Sequence, residues 1–391
     1  MKKKVIGCCI FFICVSFIFA EGTENKKKFI KGNLSEKTAI VKQAPVNEVV
    51  ELATDAIDFA INNKEILGDD KELAVLAVVG ITMLPQSYFE SIDDVKKAEI
   101  NNKFLTLFNN FKDDVVRIAV LNKLSNVNIP AEEFTITLNE IMLGDDIISA
   151  NKNFVKTVIN TLGIIGDSNS FDILYNLLNN NTWSYYVNDI ENALGPIAQK
   201  SSKNVIDLIK KGSIADCRRI FDLIQKNEKN SQFFKAEVAE NVLAQTIYIV
   251  GTTSFDDKEL VSLQLDSIRV LTKYKWTRAA RTMVAFFDVA VSEYEAKQMS
   301  HTEFIEVIKG VSVIVPIDAV SICSNCLVGM NKKKESGKFS ESDEKVVLAL
   351  ISALGAIGDK AAFDSLLAVT YYNYSDNIIT AARNALARLK W

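Results

Sequence analysis

The sequence predicts an all-α protein, an α-solenoid in which antiparallel helix pairs stack side by side. Three observations predict this class: a segment that occurs twice, helical spacing of the apolar residues around it, and a composition with few helix breakers. The two copies are Thr161–Leu178 (TLGIIGDSNSFDILYNLL) and Ala353–Thr370 (ALGAIGDKAAFDSLLAVT), which lie 192 residues apart. A more divergent third copy begins at Ala193, 32 residues after the first, and the outer copies are separated by six such steps. Repeats of this length indicate an array of similar structural units.

Each copy is typical of a helix, a tight turn and a second helix. In the last copy, one face of the first helix carries the apolar residues Val347, Leu350, Ile351, Leu354 and Ile357. Gly355 lies on this helix, where glycine costs about 1 kcal/mol relative to alanine, so we expect a neighbouring helix to approach it closely. Gly358 falls where the helix ends, a position that favours the left-handed conformation, and Asp359 can cap the next helix. Two helices cannot bury both apolar stripes alone, whereas stacked pairs can.

The pattern LGxIGDxxxFDxLL in these copies resembles the HEAT-like repeats that also occur in phycobilin lyases. The resemblance covers about residues 160–210 and 345–391 and is weak elsewhere. It implies an armadillo-type α-solenoid, which we expect to span residues 46–391. Such repeats serve scaffolds, adaptors and a few enzymes, so the resemblance specifies architecture rather than one function.

The remaining chain also favours helices, since 48% of its residues are hydrophobic and only 5 prolines and 16 glycines occur. Apolar residues at helical spacing predict helices over Asn47–Leu67, Leu73–Leu84, Phe104–Phe111, Val115–Leu124, Glu132–Leu143, Phe154–Ile165, Val261–Leu271, Ala279–Val291 and Phe304–Val315. Pro85 and Pro316 are expected to stop the helices before them. Gly251–Asp257 is predicted to be a loop. Asn331–Glu344 (NKKKESGKFSESDE) is charged and small, and we expect a mobile loop there.

The first twenty residues have the pattern of a secretory signal peptide. Lys2–Lys4 is followed by the apolar run Val5–Phe19, and Ala20 provides a small residue for cleavage. An uncleaved anchor and lipoprotein processing are alternatives, the second because cysteines occur within the run. We therefore expect residues 1–20 to be removed, residues 21–45 to form a flexible polar leader, and the bacterial protein to act in the periplasm or at the cell envelope. No other segment is long and apolar enough to predict a membrane span.

The charge balance argues against nucleic acid as a partner. The chain has 45 Lys and Arg against 49 Asp and Glu, and removal of three lysines with residues 1–20 leaves 42 against 49, a net charge of −7. Proteins that bind nucleic acid through its phosphates usually carry a basic surface. We expect the partner to be another protein.

The sequence predicts neither a catalytic centre nor a cofactor or metal site. Its one histidine, His301, is expected at a helix start, and a histidine-based triad or multi-histidine metal site is excluded. Cys323 and Cys326 form a CxxC, which could be a redox pair or a disulfide in an oxidising compartment. We favour two small apolar residues one helical turn apart, because the α/β unit that carries a redox CxxC is absent from the pattern.

Two aromatic groups are candidates for partner binding, since each lies in the link between one predicted helix pair and the next. The first group comprises Trp183, Tyr185 and Tyr186, and the second comprises Tyr371, Tyr372 and Tyr374. These side chains could stack on a peptide or a glycan. Alternatively, they pack beneath the next helix.

A third candidate is a basic segment that includes Lys273, Lys275, Trp276 and Arg278. It could contact an acidic partner or an anionic surface. Alternatively, it forms a solvated helix face that pairs with acidic residues of a neighbour. Together, these features predict an exported, non-enzymatic scaffold or adaptor. The alternative is a HEAT-like lyase or chaperone-type protein that acts on a bound small molecule or client.

Overall fold

The computed structural model describes residues 24–127, 129–250 and 258–390. These residues are mostly helical and include no strand, although a single parallel bridge joins Asp359 to Lys390. The prediction of an all-α protein is confirmed. The chain forms two compact units, which divide between Lys200 and Ser201.

The first unit contains eleven described helices. They are α1 (24–31), α2 (Leu34–Lys42), α3 (Val49–Leu67), α4 (Lys71–Met83), α5 (Gln86–Ser91), α6 (Asp94–Asn110), α7 (Asp114–Asn126), α8 (Glu132–Leu143), α9 (Lys152–Ile165), α10 (Ser168–Leu178) and α11 (Val187–Ala198). Helices α2, α4, α7, α9 and α11 contact one another in succession, and α3, α6, α8 and α10 pack beside them. Buried phenylalanines fill the space between the two sets, with the Phe108 ring centroid 5.7 Å from that of Phe134 and 6.4 Å from that of Phe154.

The second unit shows the same alternation more regularly. Its described helices are α12 (Ser202–Lys211), α13 (Ile214–Lys226), α14 (Gln232–Val250), α15 (Lys258–Lys273), α16 (Ala280–Glu295), α17 (His301–Ile314), α18 (Pro316–Glu335), α19 (Glu341–Ile357), α20 (Phe363–Val369) and α21 (Asp376–Leu386). The even-numbered helices contact one another in order, as do the odd-numbered helices, and most consecutive helices also pair between the two rows. Each helix therefore buries its apolar stripe against neighbours on two sides.

The two repeat copies make the same close contact between helices. A Cβ built on Gly163 of α9 would lie 2.7 Å from Cα of Ala193 on α11, and one built on Gly355 of α19 would lie 2.8 Å from Cβ of Ala385 on α21. Real Cβ atoms do not approach other heavy atoms this closely, so both positions require glycine. The predicted close approach at Gly355 is confirmed, and its equivalent occurs 192 residues earlier.

The turn after the first helix differs between the copies. Gly358 ends α19 in the left-handed conformation (φ 71°), and its N–H donates to the carbonyl of Leu354, as predicted. Gly166 ends α9 with φ −60° and ψ 162°, which is not left-handed. In both copies the aspartate after the glycine caps the next helix. Asp167 accepts a hydrogen bond from the N–H of Ser170, and Asp359 accepts one from the N–H of Ala361.

Proline positions agree with the predicted boundaries. Helix α4 ends at Met83, two residues before Pro85, and Pro316 is the first residue of α18, directly after α17. Proline is tolerated in the first helical turn because the N–H that it lacks would have no partner there. Pro196, by contrast, lies inside α11. The predicted loop Gly251–Asp257 lies outside the described residues.

The prediction of a flexible leader over residues 21–45 is wrong for its described part. Residues 24–31 form α1, and α2 contacts α3 and α4. Lys37 of α2 is buried, and its ammonium donates to the carbonyls of Phe29 and Ile30, which end α1. Phe29 and Val41 join the core. The lysine-rich composition predicted a solvated, flexible segment, but Lys37 donates to carbonyls at the end of α1 instead of reaching solvent. The predicted signal peptide, residues 1–20, lies outside the described residues.

Lysines satisfy helix-end carbonyls at two further places in the first unit. Nζ of Lys123 on α7 lies 2.8 Å from the carbonyl oxygen of Leu84 and 3.2 Å from that of Thr82, at the end of α4. Nζ of Lys200 lies 3.3 Å from the carbonyl oxygen of Gly166, at the end of α9. Burial lowers the pKa of Lys123. A cation beside the negative end of the helix dipole is favourable, so each lysine links two neighbouring helices.

The prediction of a mobile loop at 331–344 is also wrong. Helix α18 continues to Glu335, α19 begins at Glu341, and only the residues between them are non-helical. Asp343 is fully buried and accepts hydrogen bonds from the hydroxyl of Tyr294 and from the ammonium of Lys333, at 2.9 and 2.8 Å. Small and charged residues predicted a mobile loop, but here Lys333 and Asp343 pair and most of the segment is helical.

No helix of the described ranges is both long enough and apolar enough to cross a membrane.

Candidate functional site

The first aromatic group divides into buried and exposed members. Trp183 and Tyr186 lie in a 3₁₀ helix over Asn181–Tyr186 and pack into the core of the first unit. Tyr185 is 56% exposed, and the ammonium groups of Lys152 and Lys156 lie 4.4 and 5.1 Å from its ring centroid. Of the three, therefore, only Tyr185 offers a ring to a partner, and two lysines accompany it.

The second aromatic group divides in the same way. Tyr374 is buried, and its hydroxyl donates to Oδ1 of Asn331 at 2.9 Å, while its ring meets that of Phe339 edge-on at 5.3 Å. Burial raises the pKa of Tyr374 well above its ordinary value. Tyr372 is partly buried, whereas Tyr371 is 80% exposed. Tyr374 thus anchors the segment around residue 339, and Tyr371 is the accessible member.

The basic segment forms the most elaborate of the predicted sites, which we name the Trp276 edge. It consists of Phe233, Lys273, Lys275, Trp276, Arg278 and Arg281. The Trp276 ring meets the Phe233 ring edge-on, with centroids 4.8 Å apart at 82°. Phe233 is 57% exposed, and Trp276 is partly exposed. A ring from α14 and a ring from the segment after α15 thus form one apolar surface patch.

Acidic residues of α14 hold the Trp276 edge in place. The indole Nε1–H of Trp276 donates to Oε2 of Glu240 at 2.7 Å. The guanidinium of Arg278 lies 3.1 Å from Oε1 of Glu237 and 3.7 Å from Oε2 of Glu240, and it lies 5.7 Å from the centre of the Trp276 ring. Arg278 therefore compensates one of the two negative charges of Glu237 and Glu240, and the hydrogen bond from Nε1–H orients the indole.

The remaining cations of the edge point to solvent. Lys273, Lys275 and Arg281 are exposed, and none of them forms an ion pair with an acidic side chain of the described residues. Lys273 contacts the neighbouring Tyr274 ring, with Nζ 5.3 Å from the ring centroid. The edge thus combines exposed aromatic rings with four cations and the two carboxylates of Glu237 and Glu240, a net charge of +2.

The local chain path explains this geometry. Helix α15 ends at Lys273, and Lys275 adopts a left-handed conformation (φ 50°) that reverses the chain. The N–H of Trp276 then donates to the carbonyl of Leu271 at 3.0 Å, before a 3₁₀ turn over Thr277–Ala279 leads into α16. The sequence identified Lys273, Lys275, Trp276 and Arg278 but not Phe233, Glu237 or Glu240. These three lie on α14, about forty residues earlier, where no local pattern indicates that they face a tryptophan.

Of the three cysteines in the described residues, Cys217 and Cys323 are buried and Cys326 is partly exposed. Cys323 and Cys326 lie on α18 with Cys323 fully buried, and both are free thiols, as is Cys217 on α13. Burial raises the pKa of Cys323 and of Cys326 to about 12 and that of Cys217 to about 11. Because the thiolate is the reactive species, these values disfavour nucleophilic or redox chemistry. The geometry agrees with small apolar residues one helical turn apart.

One buried carboxyl group has no charged partner. Glu293 of α16 is 1% exposed, and its Oε1 accepts a hydrogen bond from Nε2 of Gln264 on α15 at 3.1 Å. Its other oxygen, Oε2, and Oε1 of the fully buried Gln264 have no partner in the described structure. Burial raises the pKa of Glu293 to about 7, although the hydrogen bond from Gln264 lowers it. The carboxyl group is thus close to half-protonated at neutral pH.

Asp343 shows the opposite behaviour in the same unit. Burial raises the pKa of its carboxyl group, but hydrogen bonds from Lys333, Ser340 and Tyr294 outweigh burial and hold the pKa below the ordinary value. Ser340 and Asp343 form the capping box of α19. Both carboxylate oxygens of Asp343 are thus paired within the unit.

Neither a metal site nor a histidine site emerges from the described part of the chain. No group of three or more His, Cys, Asp and Glu side chains in it could hold a metal ion. His301 begins α17 as predicted, next to the N-cap residue Ser300, and it is partly buried.

A shallow pocket of about 310 Å³ adjoins the last repeat turn. It is lined by Pro316, Ile317, Ile357, Gly358, Asp359, Lys360 and Lys390. Ile317 is largely exposed at its rim, and Asp359 is already engaged as a helix cap. The pocket therefore has apolar walls and surface lysines but no buried polar group aimed into it.

Comparison with known protein families, with curated proteins and with solved structures finds no match for this chain. The HEAT-like resemblance consequently stays a prediction, carried by the two repeat copies.

Proposed function

We propose that this chain is an exported, non-enzymatic scaffold or adaptor that binds another protein, and that its helices form a HEAT-like α-solenoid. The alternating helix contacts within each unit and the identical glycine–alanine contacts 192 residues apart support the repeat architecture. The apolar run at residues 1–20 supports export to the periplasm or cell envelope.

The Trp276 edge is the observation that carries the binding proposal. Tryptophan and arginine are the residues most enriched among those that dominate binding energy. Here Glu237 and Glu240 fix the Arg278 and Trp276 side chains in place before any partner arrives. A side chain that is already ordered loses less conformational entropy on binding. Tyr185 and Tyr371 are secondary candidates, because each exposes an aromatic ring.

Two observations support a non-enzymatic role. Cys217, Cys323 and Cys326 have raised pKa values, so they lack the low thiol pKa of catalytic cysteines. Arg278, Glu237 and Glu240 of the Trp276 edge pair with one another rather than converge on an open cavity.

Site-specific photocrosslinking would test this proposal. A photoreactive phenylalanine analogue is placed at Phe233, Tyr185 or Tyr371 in the full chain, and envelope extracts from the source cell are irradiated. Val95, which is 78% exposed and far in sequence from the predicted sites, serves as the matched control. We expect a discrete adduct with one protein from position 233 and none from position 95. Equal or absent crosslinking at all four positions would contradict the proposal.

A second measurement tests export. Cell fractionation followed by N-terminal sequencing should place the mature protein outside the cytoplasm, beginning at Glu21. Recovery of the intact chain in the cytoplasm would contradict this part of the proposal.

A further inference from the structure

We infer that the Trp276 edge binds an acidic peptide segment that carries an aromatic or aliphatic residue between its carboxylates. This inference rests on the proposed function, because it names the class of partner for the same surface. It follows from the charge, the exposed apolar area and the rigidity of the edge.

The charge of the edge opposes that of the chain. The whole chain has a formal net charge of −4, yet the edge carries four cations against the two carboxylates of Glu237 and Glu240. Lys273, Lys275 and Arg281 have no acidic partner among the described residues. Complementary charge favours correct partners and accelerates their association. A ligand that matches this patch is therefore negatively charged.

The exposed aromatic rings indicate that the ligand also carries an apolar residue. Phe233 and Trp276 expose ring surface, Lys275 directly precedes Trp276, and the Arg278 guanidinium lies 5.7 Å from the centre of the Trp276 ring. Interfaces commonly have an apolar centre that contributes most of the affinity and a polar rim that contributes specificity. An acidic peptide with an apolar residue at its centre complements both the rings and the cations.

The contacts inside the edge favour a peptide over an anionic membrane. Glu237 and Glu240 carry one negative charge more than Arg278 compensates, so they would repel a continuous anionic lipid surface. The Nε1–H of Trp276 is already donated to Glu240, so it cannot bond to lipid carbonyls as interfacial tryptophans do. A peptide, by contrast, can direct its few carboxylates to Lys273 and Lys275, which have no acidic partner among the described residues.

Fluorescence polarisation on the full chain tests the inference. The probe is a fluorescein-labelled dodecapeptide of glutamates that flank two central phenylalanines, and the same peptide with lysine for glutamate is the control ligand. Vesicles of phosphatidylglycerol, followed by co-sedimentation, form a third arm. At an ionic strength of about 0.15 M, we expect binding of the acidic peptide, weaker binding at higher salt, and none of the lysine peptide.

Charge-reversed variants locate the site. The double variant Lys273→Glu with Lys275→Glu should weaken binding about ten-fold or more. The matched control, Lys345→Glu with Lys360→Glu, makes the same charge change at exposed positions elsewhere in the second unit and should leave binding unchanged. Because all four lysines are exposed, circular dichroism should show intact helices in both variants.

Several results would overturn the inference. The first two are an equal loss of binding in both double variants and an equal affinity of the chain for the acidic and the lysine peptide. The others are vesicle binding that is lost when Lys273 and Lys275 are reversed, and self-association of the chain that is lost in the same variant. If position 233 still crosslinks to a protein while the acidic peptide fails to bind, the inference falls and the proposed function stands. If both experiments fail, both are wrong.

Discussion

Replacement of the buried Glu293 by glutamine should remove most of the pH dependence of stability in the second unit. The folded-state pKa of about 7 exceeds the ordinary value of 4.5, so the folded chain binds this proton more tightly than the unfolded chain does. Stability therefore falls as pH rises from 4.5 to 7 and is constant above that range. The difference between the two pKa values corresponds to about 3 kcal/mol.

The structure supplies the physical reason for this magnitude. Glu293 is 1% exposed, and its only hydrogen-bond donor is the neutral amide of Gln264. An ionised carboxylate in such a place lacks a compensating charge. Glutamine has nearly the same shape but no charge, so Glu293→Gln should stabilise the fold by up to about 3 kcal/mol at pH 8 and have little effect at pH 5.

Hydrogen exchange measured by mass spectrometry suits this prediction, because peptides from α15 and α16 report the opening of this region alone. Opening free energies are compared at pH 5, 6, 7 and 8 after correction for intrinsic exchange. Glu295→Gln, at an exposed position two residues later on α16, is the matched control and should behave as the wild type. An unchanged pH dependence in Glu293→Gln would refute the reasoning.

Three further predictions concern packing, helix capping and thiol chemistry. Gly355→Leu should destabilise the fold by about 1–3 kcal/mol through overpacking. Gly329→Leu, at a helical position with open space, should instead stabilise it by up to about 1 kcal/mol. Urea unfolding measures both, and the opposite ranking of the two variants would contradict this prediction. Lys123→Met should lower the free energy of unfolding by about 1–3 kcal/mol, because the carbonyls at the end of α4 lose their donor. The control is Lys96→Met at an exposed position, and an equal loss of stability in both variants would count against the capping role of Lys123. Cys323, which is fully buried, should react with a thiol reagent only at the rate of unfolding, and rapid modification of Cys323 in the native chain would contradict this.

The repeat motif shows how far local sequence carries structural information. Its glycine, aspartate and apolar positions specify a helix end, a cap and a close helix contact, and the contact at Gly355 and the caps at Asp167 and Asp359 occur as predicted. The turn at Gly166 departs from its equivalent at Gly358. Identical residues can thus end a helix in two ways when the following segment packs differently.

The candidate site was only partly accessible to sequence reasoning. The aromatic groups were visible as runs of Trp and Tyr, but their burial was not. Trp183, Tyr186 and Tyr374 lie in the core, and only Tyr185 and Tyr371 are largely exposed. Exposure depends on which neighbouring helix covers each ring, and that neighbour is distant in the sequence.

The sequence by itself determined the all-helical class, the repeat, the helix-end signals and the basic character of the segment around Trp276. These properties arise from contacts within a few residues, where spacing fixes which side chains share a face. Only the tertiary structure decided that residues 24–44 and 331–344 are ordered, that Phe233, Glu237 and Glu240 complete the Trp276 edge, and that Glu293 is buried without a countercharge. Each of these depends on helices separated by tens of residues, because burial and ion pairing are set by which surfaces meet in the folded chain.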